Sequence, residues 1–278
     1  MIGLDELKRR RAEAQVTLET TEIDYVLAWA IWGFFQNELL KDNLVFKGGT
    51  ALRKIYFPNY TEYRYSEDLD FTAKTELPED DLREAIDSAC TLAREASNIE
   101  LTLGPLKSYE SSGSKAYKGR LYFIGPRQPR SPRKLNVDID CSEKIVLSPR
   151  LLSLDHPYSD ADDCSVLVYT YPLEEILAEK LRALITPERV RARHFFDVWY
   201  ILLRYPGKLD AEEAKQIFHR KCTYKNIKFK SVADFFDPDR LEKYERDWKR
   251  SLERVMREVS PFQQVRDELE PALQNLFG

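Results

Sequence analysis

Lys47-Gly48-Gly49-Thr50-Ala51-Leu52-Arg53, followed ten residues later by Arg64-Tyr65-Ser66-Glu67-Asp68-Leu69-Asp70-Phe71, decides how this chain is read. Leu44-Val45-Phe46 is a short apolar run ending at the glycine pair, so it reads as a strand entering a tight turn. Thr50 to Phe57 reads as a short helix halted by Pro58. Asp68-Leu69-Asp70-Phe71-Thr72 alternates polar and apolar and reads as a second strand. Glycines between a strand and a helix let backbone N–H groups approach an anion, and the helix N-terminus adds a favourable field. Asp68 and Asp70, two apart on a strand, project from one face. Carboxylates so close repel unless a cation lies between them. Hard oxygen ligands favour Mg²⁺, with Mn²⁺ as a substitute, and Mg²⁺ keeps waters and takes up substrate phosphates.

Downstream, Asn136, Asp138 and Asp140 alternate with Leu135, Val137 and Ile139, which is again a strand with one acidic face. Asp138 or Asp140 offers a third carboxylate. Such a site aligns an attacking hydroxyl with an α-phosphate and stabilises a leaving pyrophosphate. Each piece alone has an ordinary reading: a Gly-Gly is a turn, an Asp-x-Asp a solvated strand edge. Strand, Gly-Gly, helix, Asp-x-Asp strand and a later acidic strand in one chain are far more specific.

Residues 5–20 and 21–40 read as two helices, the second capped by Thr20 or Thr21 and apolar along Ile23, Val26, Leu27, Ala30, Ile31, Phe34 and Phe35. A helix is expected over 79–97, and strands over 99–106, 115–125, 133–141 and 164–170. From Pro172 the pattern is helical: 172–185, 188–205, 210–221, 231–258 and 260–276. The fold class is therefore α+β, a mixed sheet with flanking helices followed by a helical C-terminal part. The division expected is 1–170 and 171–278.

The chain has 278 residues, with 43 Lys and Arg against 47 Asp and Glu, a net charge of -4. This length accommodates a sizeable core, and the composition excludes a disordered or collagenous chain. No apolar stretch approaches the roughly 20 residues that span a bilayer. The N-terminal stretch lacks the apolar core of a signal peptide, so no membrane partner and a cytoplasmic location are expected. Cys90, Cys141, Cys164 and Cys222 are scattered and read as buried thiols rather than a zinc site.

The two motifs together resemble the nucleotidyltransferase toxins of the AbiEii/AbiGii type, the toxin halves of bacterial type IV toxin–antitoxin and abortive-infection systems. The MenT toxins that add nucleotides to tRNA are similar, and the wider group is the DNA polymerase β-like nucleotidyltransferase superfamily. The resemblance continues at Asn136-Val137-Asp138-Ile139, at Leu173 to Leu184 and at Arg193 to Leu202, so it spans roughly residues 44–205. It implies a nucleotidyltransferase fold and an NTP substrate. Catalytic roles would fall to Asp68, Asp70, Asp138, Lys180 and Asp197, with Asp68, Asp70 and Asp138 holding the metal. Lys47, Gly48, Gly49, Thr50, Arg53, Ser66 and Lys180 would bind the nucleotide. A cognate antitoxin is the implied partner. The family commonly has Arg-Asp where this chain has Arg193-His194, and His194 stays outside the catalytic set.

Lys180 and Asp197 also have a plain physical reading. Lys180 sits beside the apolar stripe Ile176, Leu177, Leu181 and Leu184, so it is held by a carboxylate, Asp197 or Glu179, binds an anion, or snorkels to solvent, and Asp197, in an apolar run, needs a partner. Residues 115–134 and 215–230 are basic runs free of acids, with aromatics interleaved. Lys118, Arg120, Arg130, Arg133, Lys221 and Lys225 are the candidate RNA contacts, the alternative being solvated charged faces. The loop 60–65 is a third candidate. Asp160 to Asp163 reads as a plain acidic turn or a cation site.

The expected activity is transfer of a nucleoside monophosphate from an NTP to an acceptor hydroxyl, with tRNA, at its acceptor end, the acceptor the resemblance favours and a block of translation the result. The alternatives are a protein-directed AMP or UMP transferase and a non-catalytic GTP- or NTP-binding toxin.

Overall fold

The computed structural model describes residues 1–58, 63–111, 114–187, 190–205 and 209–278. It divides into two compact units, Met1–Tyr171 and Pro172–Gly278.

The first unit begins with α1 (Leu4–Ala14) and α2 (Leu18–Gln36). The break falls earlier than the pattern of charges predicts. Gln15 adopts a left-handed conformation that ends α1, and the Thr17 side chain accepts from the Thr20 N–H to start α2. Next come α3 (Glu38–Asn43), β1 (Leu44–Lys47) and α4 (Gly48–Ala51), which runs on into a π turn over Leu52–Tyr56. Then follow β2 (Asp68–Ala73), α5 (Glu79–Ser97), β3 (Glu100–Leu103), β4 (Lys107–Ser111), β5 (Ser114–Ile124), β6 (Arg133–Asp140), β7 (Arg150–Ser153) and β8 (Leu167–Thr170). The sequence pattern shows neither β7 nor the division of 99–111 into two strands, which Gly104-Pro105 separates.

Among the described residues, eight strands form one mixed sheet in the order β3-β5-β6-β2-β1-β8-β7, with β4 also on β5. β2 pairs parallel with β6 and antiparallel with β1. The apolar members of the alternation, Leu69, Phe71, Leu135, Val137 and Ile139, are buried. Phe34 of α2 stacks on Phe71 at 5.3 Å, and Phe35 and Phe46 close around the same ring. Burying one face of β2 and β6 this way necessarily turns Asp68, Asp70 and Asp138 to the other, because strand side chains alternate.

α2 is buried nearly all round rather than along one stripe. Its buried acids are therefore partnered: Asp24 Oδ2 meets Lys54 Nζ at 2.7 Å, and Glu22 meets Arg127 and Arg133. Among the described residues, no helix is long and apolar enough to cross a membrane.

The second unit holds α6 (Leu173–Ile185), α7 (Ala192–Leu203), α8 (Ala211–Tyr224), a 3₁₀ turn (Val232–Phe236), α9 (Pro238–Leu252) and α10 (Phe262–Phe277). The helix expected over 231–258 is broken at Asp237-Pro238. There Asp237 accepts from the Arg240 N–H and Pro238 supplies the first turn. Phe195 and Phe196 of α7 meet Trp248, and Phe195 also meets Tyr244 and Phe262, which ties α7, α9 and α10 into one core.

Candidate active site

The carboxylate face is built by strand register. Asp70 on β2 is paired with Asp138 on β6 and, on its other side, with Lys47 on β1. Lys118 on β5 is paired with Asp138 from the far side. One cross-strand row thus reads Lys118, Asp138, Asp70, Lys47. The neighbouring row reads Arg120, Asn136, Asp68. Adjacent strands lie about 4.8 Å apart, so three carboxylates and their flanking cations share a patch a few strands wide.

The Gly-Gly turn is fitted to this patch. Gly48 has φ +79°, and a Cβ placed on it would lie 2.2 Å from Asp70 Oδ2. A Cβ on Gly49 would lie 2.6 Å from Arg64 Nη2 and 3.0 Å from Ser66 Oγ. The Thr50 hydroxyl donates to the Asp68 carbonyl oxygen at 2.5 Å, so the start of α4 is tied to β2. The Asp68 carboxylate in turn accepts from Asn136 Nδ2 at 2.8 Å. Lys47 is largely buried, its ammonium 5.6 Å from the centre of the Tyr171 ring.

Lys47, Gly48, Gly49, Thr50, Ser66, Asp68, Asp70 and Asp138 are therefore brought together in the first unit. Arg53 sits next to this group in the chain and contacts Tyr65, the neighbour of Arg64 and Ser66. Its guanidinium lies 4.1 Å over the Tyr65 ring and donates to the Phe57 carbonyl oxygen at 3.3 Å. Burial raises the pKa of the Tyr65 phenol, and the charge of Asp24 adds to this while Arg53 opposes it. Arg64 and Asn136 belong to the patch although the sequence pattern alone assigns them no role. The signal was their place in the chain, Arg64 inside the Arg64–Phe71 motif and Asn136 on the later acidic strand.

In the second unit, Lys180 Nζ meets Asp197 Oδ2 at 2.8 Å, and Asp197 has no exposed surface. Of the two ion pairs open to Lys180, with Asp197 or Glu179, the one with Asp197 is present. His194 Nδ1 stands 3.4 Å from the same ammonium.

The donor set suits a divalent cation. Asp70 and Asp138 are in-register carboxylates, half-exposed, with Asp68 two residues along the same face. Among the described residues, no three acidic, His or Cys side chains are gathered tightly enough to enclose a metal by themselves. Burial, reinforced by the charge of Asp140, pushes the Cys141 thiol up to about 11.

The chain matches the family described as "Nucleotidyl transferase AbiEii toxin, Type IV TA system" over residues 29–275. The chain belongs to the AbiEii nucleotidyltransferase toxin family. It is thus a nucleotidyltransferase, the toxin of a type IV toxin–antitoxin system, a family of enzymes that use a nucleoside triphosphate and a divalent metal ion and that imply an antitoxin partner. Among solved structures it is similar to MenT4, a nucleotidyltransferase toxin from Mycobacterium tuberculosis H37Rv. The TM-score is 0.65 at 17% identity, covering 93% of this chain and 84% of that one. That likeness shows a shared α+β fold with a mixed sheet. No curated protein matches by sequence.

The basic runs of this AbiEii-family toxin divide into ion-paired and exposed residues. Lys221 leaves the set of RNA contacts: it has no exposed surface and bridges Glu175 at 2.9 Å and Glu179 at 3.1 Å. Arg133 is held by Glu19 and Glu22, and Lys115, in the same run, meets Glu76 at 2.5 Å. These runs are free of acids in sequence, but not in space. Lys118, Arg120 and Arg130 are exposed, and Lys225 is half-exposed beside Tyr224. Of the loop 60–65, residues 60–62 lie outside the described residues. Asp160 is used internally, accepting from Tyr25 at 2.6 Å and Trp29 at 3.3 Å and pairing with His156 at 2.8 Å.

Proposed function

We propose that this toxin transfers a nucleoside monophosphate from an NTP to an RNA hydroxyl in an Mg²⁺-dependent reaction, with the acceptor end of tRNA as target and a block of translation as consequence. The observation that carries the acceptor class is the exposed pair Lys118 and Arg120, in register beside Asp138 and Asn136 on the carboxylate face. Cations flanking a carboxylate patch suit a polyanionic acceptor drawn alongside a triphosphate. A protein hydroxyl has no such requirement.

Asp68, Asp70 and Asp138 hold the metal, which when bound polarises the reacting phosphate and neutralises the leaving pyrophosphate. Asp138 accepts the proton of the attacking hydroxyl. The turn at Gly48 and Gly49 offers N–H groups to the triphosphate, and Lys47 adds positive charge beside Asp70. Lys180 and Asp197 are assigned to the nucleotide by resemblance, Lys180 as a phosphate contact oriented by Asp197. The cognate antitoxin is the partner that restrains the activity.

The test is incubation with each labelled NTP, Mg²⁺ and total RNA, then RNase or protease treatment of the product. RNase-sensitive label that disappears with Asp70→Ala supports the proposal. Protease-sensitive label would move the acceptor to protein, and tight NTP binding without pyrophosphate release would leave a non-catalytic toxin.

A further inference from the structure

We propose that Asn136 is a positioning residue for the metal-binding carboxylate Asp68. The inference rests on the nucleotidyltransferase reading of the carboxylate face and adds a residue to it.

β6 runs parallel to β2, and register sets Asn136 opposite Asp68, two residues before Asp138 meets Asp70. The Asn136 amide donates to Asp68 Oδ1 at 2.8 Å. The Thr50 hydroxyl holds the carbonyl of the same residue. Backbone and side chain of Asp68 are thus both fixed from outside its own strand, one from the Gly-Gly turn and one from β6.

The chemistry of the partner matters. Asp24, Asp197 and Glu175, all buried, are held by Lys54, Lys180 and Lys221. A lysine at position 136 would neutralise Asp68 and compete with a metal for it. A neutral amide orients one oxygen while leaving the full negative charge and the second oxygen for a cation. Asn136 also stands between Asp68 and Arg120, its register partner on β5. The row is cation, amide, carboxylate, so the guanidinium is set one strand further from the metal ligand than an ion pair would place it.

The probe is Mn²⁺, titrated onto the full chain and followed by electron paramagnetic resonance. Asn136→Ala is expected to bind Mn²⁺ about tenfold more weakly or worse, as is usual on losing a hydrogen bond to a metal ligand. Its melting temperature should stay at the wild-type value, since Asn136 is exposed. Asn136→Gln keeps an amide donor and should recover most of the affinity, which a merely structural role would not predict. If Asn136→Ala binds as wild type while Asp68→Asn is weakened, the positioning role is overturned and the metal site stands. If Asp68→Asn and Asp70→Asn also bind as wild type, both the role and the metal reading of this face fall.

Discussion

The carboxylate of Asp70 fills the space that a side chain on Gly48 would need. A Cβ there would stand 2.2 Å from Asp70 Oδ2, on a backbone at φ +79° that only glycine adopts without strain. Gly48→Ala should therefore push Asp70 off the face it shares with Asp138. The expected cost is about 1–3 kcal/mol of stability from the backbone. The expected loss of transfer activity is about 100-fold, since catalysis is sensitive to misplacement of about 1 Å. Urea unfolding and the labelled-NTP assay measure the two effects separately.

Lys118→Glu and Arg120→Glu should weaken RNA binding and lower its salt dependence, by about one counterion for each phosphate no longer neutralised. The KM for NTP should remain near wild type. Filter binding across a salt series, alongside initial rates at saturating RNA, reads both quantities. An unchanged salt slope in the double variant would remove β5 from the acceptor path.

Lys221→Ala gives the opposite pattern. It strands Glu175, which is fully buried, without this cation. Breaking a buried pair from one side typically costs about 3–5 kcal/mol. Unfolding should shift by that order while the salt slope of RNA binding stays the same, because this lysine has no surface to offer an RNA.

Asp160 makes the first unit sensitive to acid. Burial works to raise its carboxyl pKa, but hydrogen bonds with His156 and from Tyr25, joined by the His156 charge, outweigh this and leave it below the usual carboxylate value. A depressed folded pKa contributes stability that is present above the unfolded value of about 3.9 and is lost as pH falls through the folded one. The gap in melting temperature between wild type and Asp160→Asn should be steady from neutral pH down to about pH 4 and shrink below it. A gap that stays constant into stronger acid would contradict the linkage.

The thiols should be inert in the native protein. Cys90, Cys164 and Cys222 are buried and Cys141 is partly so. Burial is the main cause that pushes Cys90 up to about 12 and Cys141 and Cys222 to about 11, and it raises Cys164 as well. Ellman's reagent at pH 8 should release four equivalents quickly only after denaturation, because the thiolate is the reactive form.

Much of the site is legible in the sequence because its geometry is local. A two-residue step on a strand puts Asp68 and Asp70 on one face whatever surrounds them, and apolar Leu69 and Phe71 say which face is buried. The glycine pair between a strand and a helix is equally local. Helix ends were less legible. Gln15 and Pro238 set boundaries through a backbone conformation and a cap, which the periodicity of neighbouring apolar residues does not encode.

By itself, then, the sequence determined the family, the α+β class and the acidic faces of two strands. What it could not determine was which charges face solvent and which residues hold the carboxylates in place. Two runs without acids suggested two nucleic-acid surfaces. Tertiary structure brought Glu19, Glu22, Glu76, Glu175 and Glu179 to Lys115, Arg133 and Lys221, and left Lys118 and Arg120 beside the carboxylate face. It also placed Asn136 on Asp68, 68 residues away. The physical reason is that a charged or polar side chain must find a partner when the fold takes it out of water. That partner is chosen by strand register and helix packing, not by position in the chain.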